Sequence, residues 1–274
     1  MNQSDTNYNL NWGFAEFTYN DFQLFVNVSY VDFVSIPCSL TLETKAGEKM
    51  SVEGMPSNAL ETVCQKLIEQ DNKDGAGWSK LVVRKAGTNS PLRALSPNSG
   101  RVISGGSLFA SYYTAYVAAV YEKYRGEDII INTQAGWGDV RGRVRADGTL
   151  DFGGQIGTFE RPSAADIFSC DSGPFARGAD WTEARGNVGA RLAAAFNRST
   201  LRFTPEHPNG ERVENYYREP VTNHYSRICH ETSLGSRGYA FPYDDVGANG
   251  SVDQSGSLWH SEPKLLTVGI GGGF

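Results

Sequence analysis

Apolar and polar positions alternate from residue 13 to 44. Phe14, Phe17, Phe22, Leu24, Val26, Val28, Tyr30, Val31, Phe33, Val34, Leu40 and Leu42 carry the apolar side, and Asn20-Asp21 and Pro37 interrupt it. The pattern predicts three antiparallel strands. The period then changes. Leu60, Val63, Cys64, Leu67 and Ile68 recur at helical spacing, with Asn58 and Glu61 as a cap pair. Trp78 to Arg84 reads as a strand, and residues 86–106, rich in Gly, Pro, Ser and Asn, read as a long loop. A second helical stripe runs through Tyr112, Ala115, Tyr116, Ala119, Val120 and Tyr124 and closes at Gly126. Strands resume from Asp128 to Thr133. A third helix, capped by Asp180 with Glu183, turns Val188, Leu192, Ala195 and Phe196 inward. Residues 204–219 read as loop, His230-Glu231 as a hydrogen-bonded pair near a strand end, and Leu265 to Ile270 as a closing strand.

Between these elements lies Gly142 to Cys170. Arg143-Val144-Arg145 alternates, Asp147-Gly148 is a turn dipeptide, and Thr149 to Phe152 alternates back, which predicts a hairpin. A further strand is expected at Ile167-Phe168, entered through Pro162. Asp151 and Asp166 are then two carboxylates near strand ends on one short piece of chain.

Strands at both ends with helices between predict a mainly β protein with an α/β part. Residues 12–46 and 128–274 are assigned to a β-barrel or sandwich domain, apart from the helix near 180–197, which goes to the second lobe. Residues 47–127 form a mixed α/β domain. A ligand is expected in a cleft between the two lobes.

Composition narrows the partners. The 274 residues carry a formal net charge of −6 with no basic block, so nucleic acid is not expected. No run of 18 apolar residues stands in the chain, so no membrane span is expected. The polar start MNQSDTNYNLNWG lacks an apolar signal core, which fits a cytosolic protein or a mature form with an added Met. Cys38, Cys64, Cys170 and Cys229 permit three full pairings and match no CxxC zinc pattern. Sequons at Asn27, Asn197 and Asn249 are compatible with secretion. The aromatic load, 13 Tyr and 14 Phe, suits β-cores and also flat sugar faces; Trp137, between Gly136 and Gly138, is a candidate platform.

The chemistry narrows by exclusion. There is no G-x-S-x-G elbow, Walker A sequence, H-E-x-x-H or EF-hand loop. His207, His224, His230 and His260 lack helical ligand spacing, and no metal or cofactor is expected. What remains is carboxylate chemistry, with Asp32, Asp151, Glu160, Asp166, Asp171, Glu231, Asp244 and Asp245 as candidates. A pair of carboxylates is what glycoside hydrolysis needs, one to donate a proton and one to activate water or attack.

Four stretches carry a family resemblance: YVDFVSIP (30–37), FERPSAADIFSC (159–170), SGPF (172–175) and RGYAFPYDDV (237–246). They resemble glycoside hydrolase family 64, the thaumatin-like, laminaripentaose-producing β-1,3-glucanases, over nearly the whole chain. The resemblance implies a thaumatin-like β-barrel beside a mixed α/β domain, with a wide electronegative cleft. It implies endo-type, inverting hydrolysis of β-1,3-glucan by a secreted enzyme; a monomer is expected. Asp166 matches the family's general base, preceded by Phe159, Pro162 and Ser163; the family has Trp where Phe159 stands. The family's general acid is a Glu about fifteen residues earlier, and Asp151 is the carboxylate found there. Gln155 takes the place of a sugar-binding amide. Trp137, Phe159, Tyr239, Phe241 and Tyr243 are expected as stacking faces, with Ser163, Asp244 and Asp245 bonding substrate or the loop. Inversion leaves room for a water, so the two carboxyl groups should stand about 6.5–9.5 Å apart. A non-catalytic β-glucan-binding protein of the same fold is the alternative, and free thiols at all four cysteines would favour a cytosolic enzyme of another substrate class.

Overall fold

The computed structural model describes residues 4–272. In chain order the strands and helices are β1 (Ala15–Tyr19), β2 (Leu24–Val28), β3 (Phe33–Val34), β4 (Cys38–Thr44), β5 (Lys49–Val52), α1 (Ala59–Asp74), β6 (Val82–Arg84), β7 (Pro91–Leu95), α2 (Pro97–Ile103), α3 (Thr114–Gly126), β8 (Ile129–Asn132), β9 (Asp139–Val144), β10 (Leu150–Asp151), β11 (Thr158–Phe159), α4 (Ala164–Ser169), α5 (Glu183–Arg198), β12 (Glu206–His207), α6 (His224–Thr232), β13 (Ser257–His260) and β14 (Pro263–Ile270). They gather into two compact units. The first is Met1–Leu108 with His224–Asp245 and Asp253–Phe274; the second is Phe109–Asn223 with Val246–Val252. The pattern of the sequence divides at 46/47 and 127/128. The contacts divide at 108/109 and 223/224, because α1 packs on β7 and α6.

The first unit holds three three-stranded sheets, ordered β1-β2-β13, β14-β4-β5 and β3-β7-β6. The alternation over residues 13–44 does produce strands, but they feed three different sheets. β2 buries Leu24, Val26 and Val28 between β1 and β13, while β4 buries every second residue between β14 and β5. Among the described residues no sheet closes into a barrel, and the mix of sheets and helices replaces the expected barrel. The long loop expected at 86–106 holds β7 and α2. Its Ser96-Pro97 pair is a helix start: the Ser96 hydroxyl accepts from the Ser99 N–H at 3.2 Å and Pro97 opens the first turn. Gly100 packs closely against Leu81 there: a Cβ would lie 2.3 Å from Leu81 Cδ2, so the leucine would have to shift. Trp78–Leu81 is a tight 3₁₀ turn ahead of β6, and Asn58 stands at the start of α1 without a side-chain cap bond. Residues 224–232, expected to lead to a strand end, form α6. Tyr225, Ile228, Cys229 and Thr232 fall on its buried side, and Tyr225 donates to the Tyr30 carbonyl at 2.6 Å.

The second unit is one five-stranded sheet, β11-β10-β9-β8-β12, antiparallel except between β8 and β12. α3 buries Tyr116, Val117, Val120, Tyr121 and Tyr124. α5 is buried through most of its length, including Val188, Leu192, Ala195 and Phe196. Its cap is Thr182, not Asp180: the Thr182 hydroxyl accepts from the Arg185 N–H at 3.0 Å, while Asp180 is exposed.

All four cysteines are buried free thiols. Burial pushes the Cys64 thiol up to about 12 and raises those of Cys38 and Cys229. Asn27 and Asn197 are buried and Asn249 is exposed, so of these three sequons the one at Asn249 is open to modification. Among the described residues no helix is long and apolar enough to cross a membrane.

Candidate active site

The hairpin of the second unit forms as its sequence predicts. Leu150 pairs with Val144 and Asp151 with Arg143. Asp147 makes the turn, accepting from the Thr149 N–H at 2.9 Å and the Thr149 hydroxyl at 2.7 Å, and these bonds hold its carboxyl below the usual range. Gly142 lies under Phe152, where a Cβ would stand 2.6 Å from the ring. Asp151 ends β10 opposite Thr158 of β11. Its Oδ1 accepts from the Gly153 N–H at 3.0 Å and its Oδ2 is ion-paired with Arg145; only 16% of the side chain is exposed.

Asp166 is reached through Pro162, but not by the strand expected at Ile167-Phe168. Residues 164–169 are a helix. Ser163 caps it through a reciprocal pair: its hydroxyl accepts from the Asp166 N–H at 3.3 Å, and its own N–H donates to Asp166 Oδ2 at 2.8 Å. Ile167 and Phe168 are buried as neighbours on a single turn of helix, a spacing that mimics a short strand in the sequence. Cys170 ends the helix in the left-handed conformation (φ 60°). Asn197, fully buried on α5, holds that end by donating to the Ile167 carbonyl at 2.7 Å.

The carboxylate of Asp166 sits in a cradle of donors. Oδ2 accepts from the Ser163 N–H and from the Ser163 hydroxyl, both at 2.8 Å. Oδ1 accepts from the Ser172 hydroxyl at 2.6 Å. Gly173 (φ 52°) presses on the group so closely that a Cβ would lie 2.5 Å from the carboxyl carbon. A carboxylate offers about four acceptor positions. Three are filled here, which leaves one on Oδ1.

The other predicted residues divide. Gln155 is exposed at a turn, and Trp137 is half-buried between its glycines. Phe159 is 1% exposed: Phe152 meets it edge-on at 5.9 Å and the Arg185 guanidinium lies over its ring at 4.4 Å, so it presents no open stacking face. Ser163 is bonded to Asp166. Tyr239, Phe241, Tyr243, Asp244 and Asp245 belong to the first unit. Phe241 and Asp244 are buried, with no face for a polymer. Asp244 Oδ2 instead meets His230 Nε2 at 2.9 Å and accepts from the Ala240 N–H at 3.0 Å. Tyr239 and Tyr243 are half-buried, and the exposed Asp245 accepts from the Tyr239 hydroxyl at 2.8 Å. The expected His230-Glu231 pair does not form: Glu231 bonds Arg227 at 2.7 Å and Lys66 at 3.1 Å. Sequence reasoning missed Ser172 and Gly173 as partners of Asp166, although SGPF stood out as a motif, and it missed Arg145 and Arg185. Among the described residues no group of three His, Cys, Asp or Glu side chains is placed to hold a metal ion.

A model of glycoside hydrolase family 64, described as β-1,3-glucanase, matches residues 1–270. The chain belongs to glycoside hydrolase family 64. It is 29% identical over 270 residues to a glucan endo-1,3-β-glucosidase of Cellulosimicrobium cellulans and to another of Arthrobacter sp. (strain YCWD3); the match takes in 97% of this chain and 47% of each relative. The family 64 chain thus spans less than half the length of these relatives. Its fold matches the crystal structure of a laminaripentaose-producing β-1,3-glucanase in complex with laminaritetraose, with a TM-score of 0.83 at 30% identity over 97% of this chain and 70% of that one. A family 64 β-1,3-glucanase domain from Clostridium beijerinckii shares the fold at a TM-score of 0.75 and 21% identity, over 97% of this chain and 66% of that one.

Proposed function

We propose that this chain hydrolyses β-1,3-glucan of the laminarin or curdlan type by endo attack with inversion. The observation that carries the reading is the Asp166 cradle. Three donors fix the carboxylate, and the acceptor position left on Oδ1 is where a water can give up its proton. Asp166 is then the general base. As the water attacks the anomeric carbon, its proton passes to Asp166, and Asp151, which has to enter the step protonated, gives its proton to the leaving glycosidic oxygen. Arg145 has to swing off Asp151 for that transfer, and its exposed side chain leaves it room to do so. The inverting reading requires a separation of about 6.5–9.5 Å between the two carboxyl groups.

Gln155 and Trp137, which share the second unit with the carboxylates, are the groups that this reading assigns to the glucan; Tyr239, Tyr243 and Asp245 are its candidates on the first unit. The reaction needs no metal or cofactor, and the chain acts as a monomer. Extracellular action goes with a polysaccharide substrate; the four unbridged thiols count against it, and cell fractionation decides.

The test is digestion of laminarin and curdlan by wild type, Asp166→Asn and Asp151→Asn, with products sized and the first-formed anomer read by NMR. The reading expects α-anomeric oligosaccharides from wild type and none from either variant. Activity that survives in Asp151→Asn moves the acid elsewhere. Bound laminarin without products makes the chain a glucan-binding module.

A further inference from the structure

One side chain touches both the Asp151 side and the Asp166 side of the second unit. Arg185 stands in the first turn of α5. Its Nη1 donates to the carbonyls of Ile156 at 2.9 Å and Thr158 at 2.8 Å, and its Nη2 reaches the Pro174 carbonyl at 3.5 Å. Its guanidinium lies over the Phe159 ring, 4.4 Å from the centroid, in a cation–π contact with β11. Thr182 adds a fourth tie from the same turn, donating to the Gln155 carbonyl at 2.8 Å.

The bonded carbonyls belong to two different supports. Gln155, Ile156 and Thr158 line the loop that leaves Asp151 and returns to pair with it, since Thr158 is the strand partner of Asp151. Pro174 follows Gly173, which presses on the Asp166 carboxyl, and Ser172, which donates to it. Each support is short: β11 pairs with β10 over two residues, and Gly173–Phe175 is a single 3₁₀ turn. The loop carries glycines at 153, 154 and 157, all at positive φ, and Gly173 is at positive φ as well. Short, glycine-rich segments open easily, and ties from outside them slow that opening.

The geometry points to Arg185 as a positioning residue that sets the spacing of Asp151 and Asp166. It touches neither carboxylate. It fixes the two backbone segments that carry and back them, and an inverting reaction is sensitive to that spacing because a water must fit. A planar fork with several fixed donors can hold carbonyls on both segments together. A lysine ammonium on a flexible stem can hold one segment. This inference rests on the two-carboxylate reading above, so its test includes a readout that does not depend on activity.

Arg185→Lys is compared with wild type on laminarin, and amide hydrogen exchange is followed in both proteins. The expected result is a kcat lower by about 10–100-fold with KM within about twofold, the pattern of misplaced catalytic groups. Exchange at residues 153–157 and 173–176 should quicken together by about tenfold or more, with β8 amides unchanged. An unchanged kcat, or a raised KM with kcat retained, overturns the inference. So does exchange that quickens in one segment alone or in neither. Arg185→Met keeps the stem over Phe159 and loses every donor, so it should be at least as slow as Arg185→Lys; recovery of kcat in it would also overturn the inference. If wild type cleaves no β-1,3-glucan, the functional reading falls by itself, and the exchange data still decide whether Arg185 couples the two segments.

Discussion

Asp166 and Asp244 make an instructive pair. Each stands in a specific motif, FERPSAADIFSC or RGYAFPYDDV, and each accepts from a backbone N–H three or four residues earlier, that of Ser163 or Ala240. Asp166 is half-buried and its other donors are serine hydroxyls. Asp244 is 1% exposed and lies against His230, whose Nδ1 faces the Ser236 carbonyl at 3.0 Å. A carbonyl only accepts, so Nδ1 carries a proton. The imidazole and the carboxylate together tie the loop after residue 236 to α6. The residue type and the local bond are the same in both places. Access to water and the nature of the remaining partners separate a carboxylate that can meet a reactant from one that holds the fold.

The sharpest way to break this comparison is to exchange the two outcomes. Asp166→Asn should lower kcat by about 10²–10⁴-fold, the usual worth of a general base. Its amide oxygen can still accept from Ser163, so the thermal midpoint should move by the equivalent of less than about 1 kcal/mol. Reducing-end release and calorimetry read the two numbers. Asp244→Ala should do the reverse. Removing one partner of a buried pair costs about 3–5 kcal/mol, seen as a lowered urea midpoint, while turnover per folded molecule in the cold stays close to wild type. A stable Asp244→Ala protein without activity would place Asp244 at the substrate and undo the contrast.

That contrast is only partly written in the sequence. The hairpin at 143–152 and the stripes of α1, α3 and α5 are legible because their apolar periods run long enough to name a face. α4 is not, since six residues with one apolar pair fit a strand as well as a helix. The deciding signal is the Ser163/Asp166 spacing, which also marks the candidate base. α6 and α2 are hidden by polar and turn-forming residues that act as caps and buried bonds. The alternation over residues 13–44 names strands and says nothing about which sheet receives each, so a barrel is not legible in it. Arg185 leaves no trace in any pattern, since its partners are backbone carbonyls, which every residue has. The burial of Asp244 and Phe241 is a tertiary fact, and an acidic, aromatic motif reads the same exposed or buried.

A smaller effect sharpens the account of the cradle. Ser172→Ala removes one hydroxyl donor from Asp166 Oδ1 and leaves both Ser163 bonds in place. A hydrogen bond of this kind is worth about 1 kcal/mol net, so kcat/KM on laminarin should fall by about three- to tenfold with little change in KM. A loss as large as that of Asp166→Asn would mean that Ser172 itself handles substrate.

The smallest effect concerns Asp253, which shows that hydroxyl donors alone do not make a site. Its Oδ1 accepts from the Ser255 N–H at 2.9 Å and hydroxyl at 2.6 Å. Its Oδ2 takes Arg237 Nη2 at 3.1 Å, the Ser257 hydroxyl at 3.3 Å and the Ser257 N–H at 3.4 Å. Where Asp166 keeps a position open, Asp253 has none. Burial pushes its carboxyl up, but the Ser255 bonds and then Arg237 outweigh that and hold it below the ordinary range. A lowered folded value means stability that is present above the unfolded value, near pH 4, and lost as pH falls through the folded one. With 37% of the side chain exposed, the contribution should stay under about 1 kcal/mol. Urea midpoints of wild type and Asp253→Asn, measured from neutral pH down to about pH 2.5, should therefore differ most near neutrality and converge in acid. Hydrolysis by the variant should match wild type throughout, because a carboxylate with every acceptor position filled can anchor the Arg237 end of its motif but cannot take a proton from water.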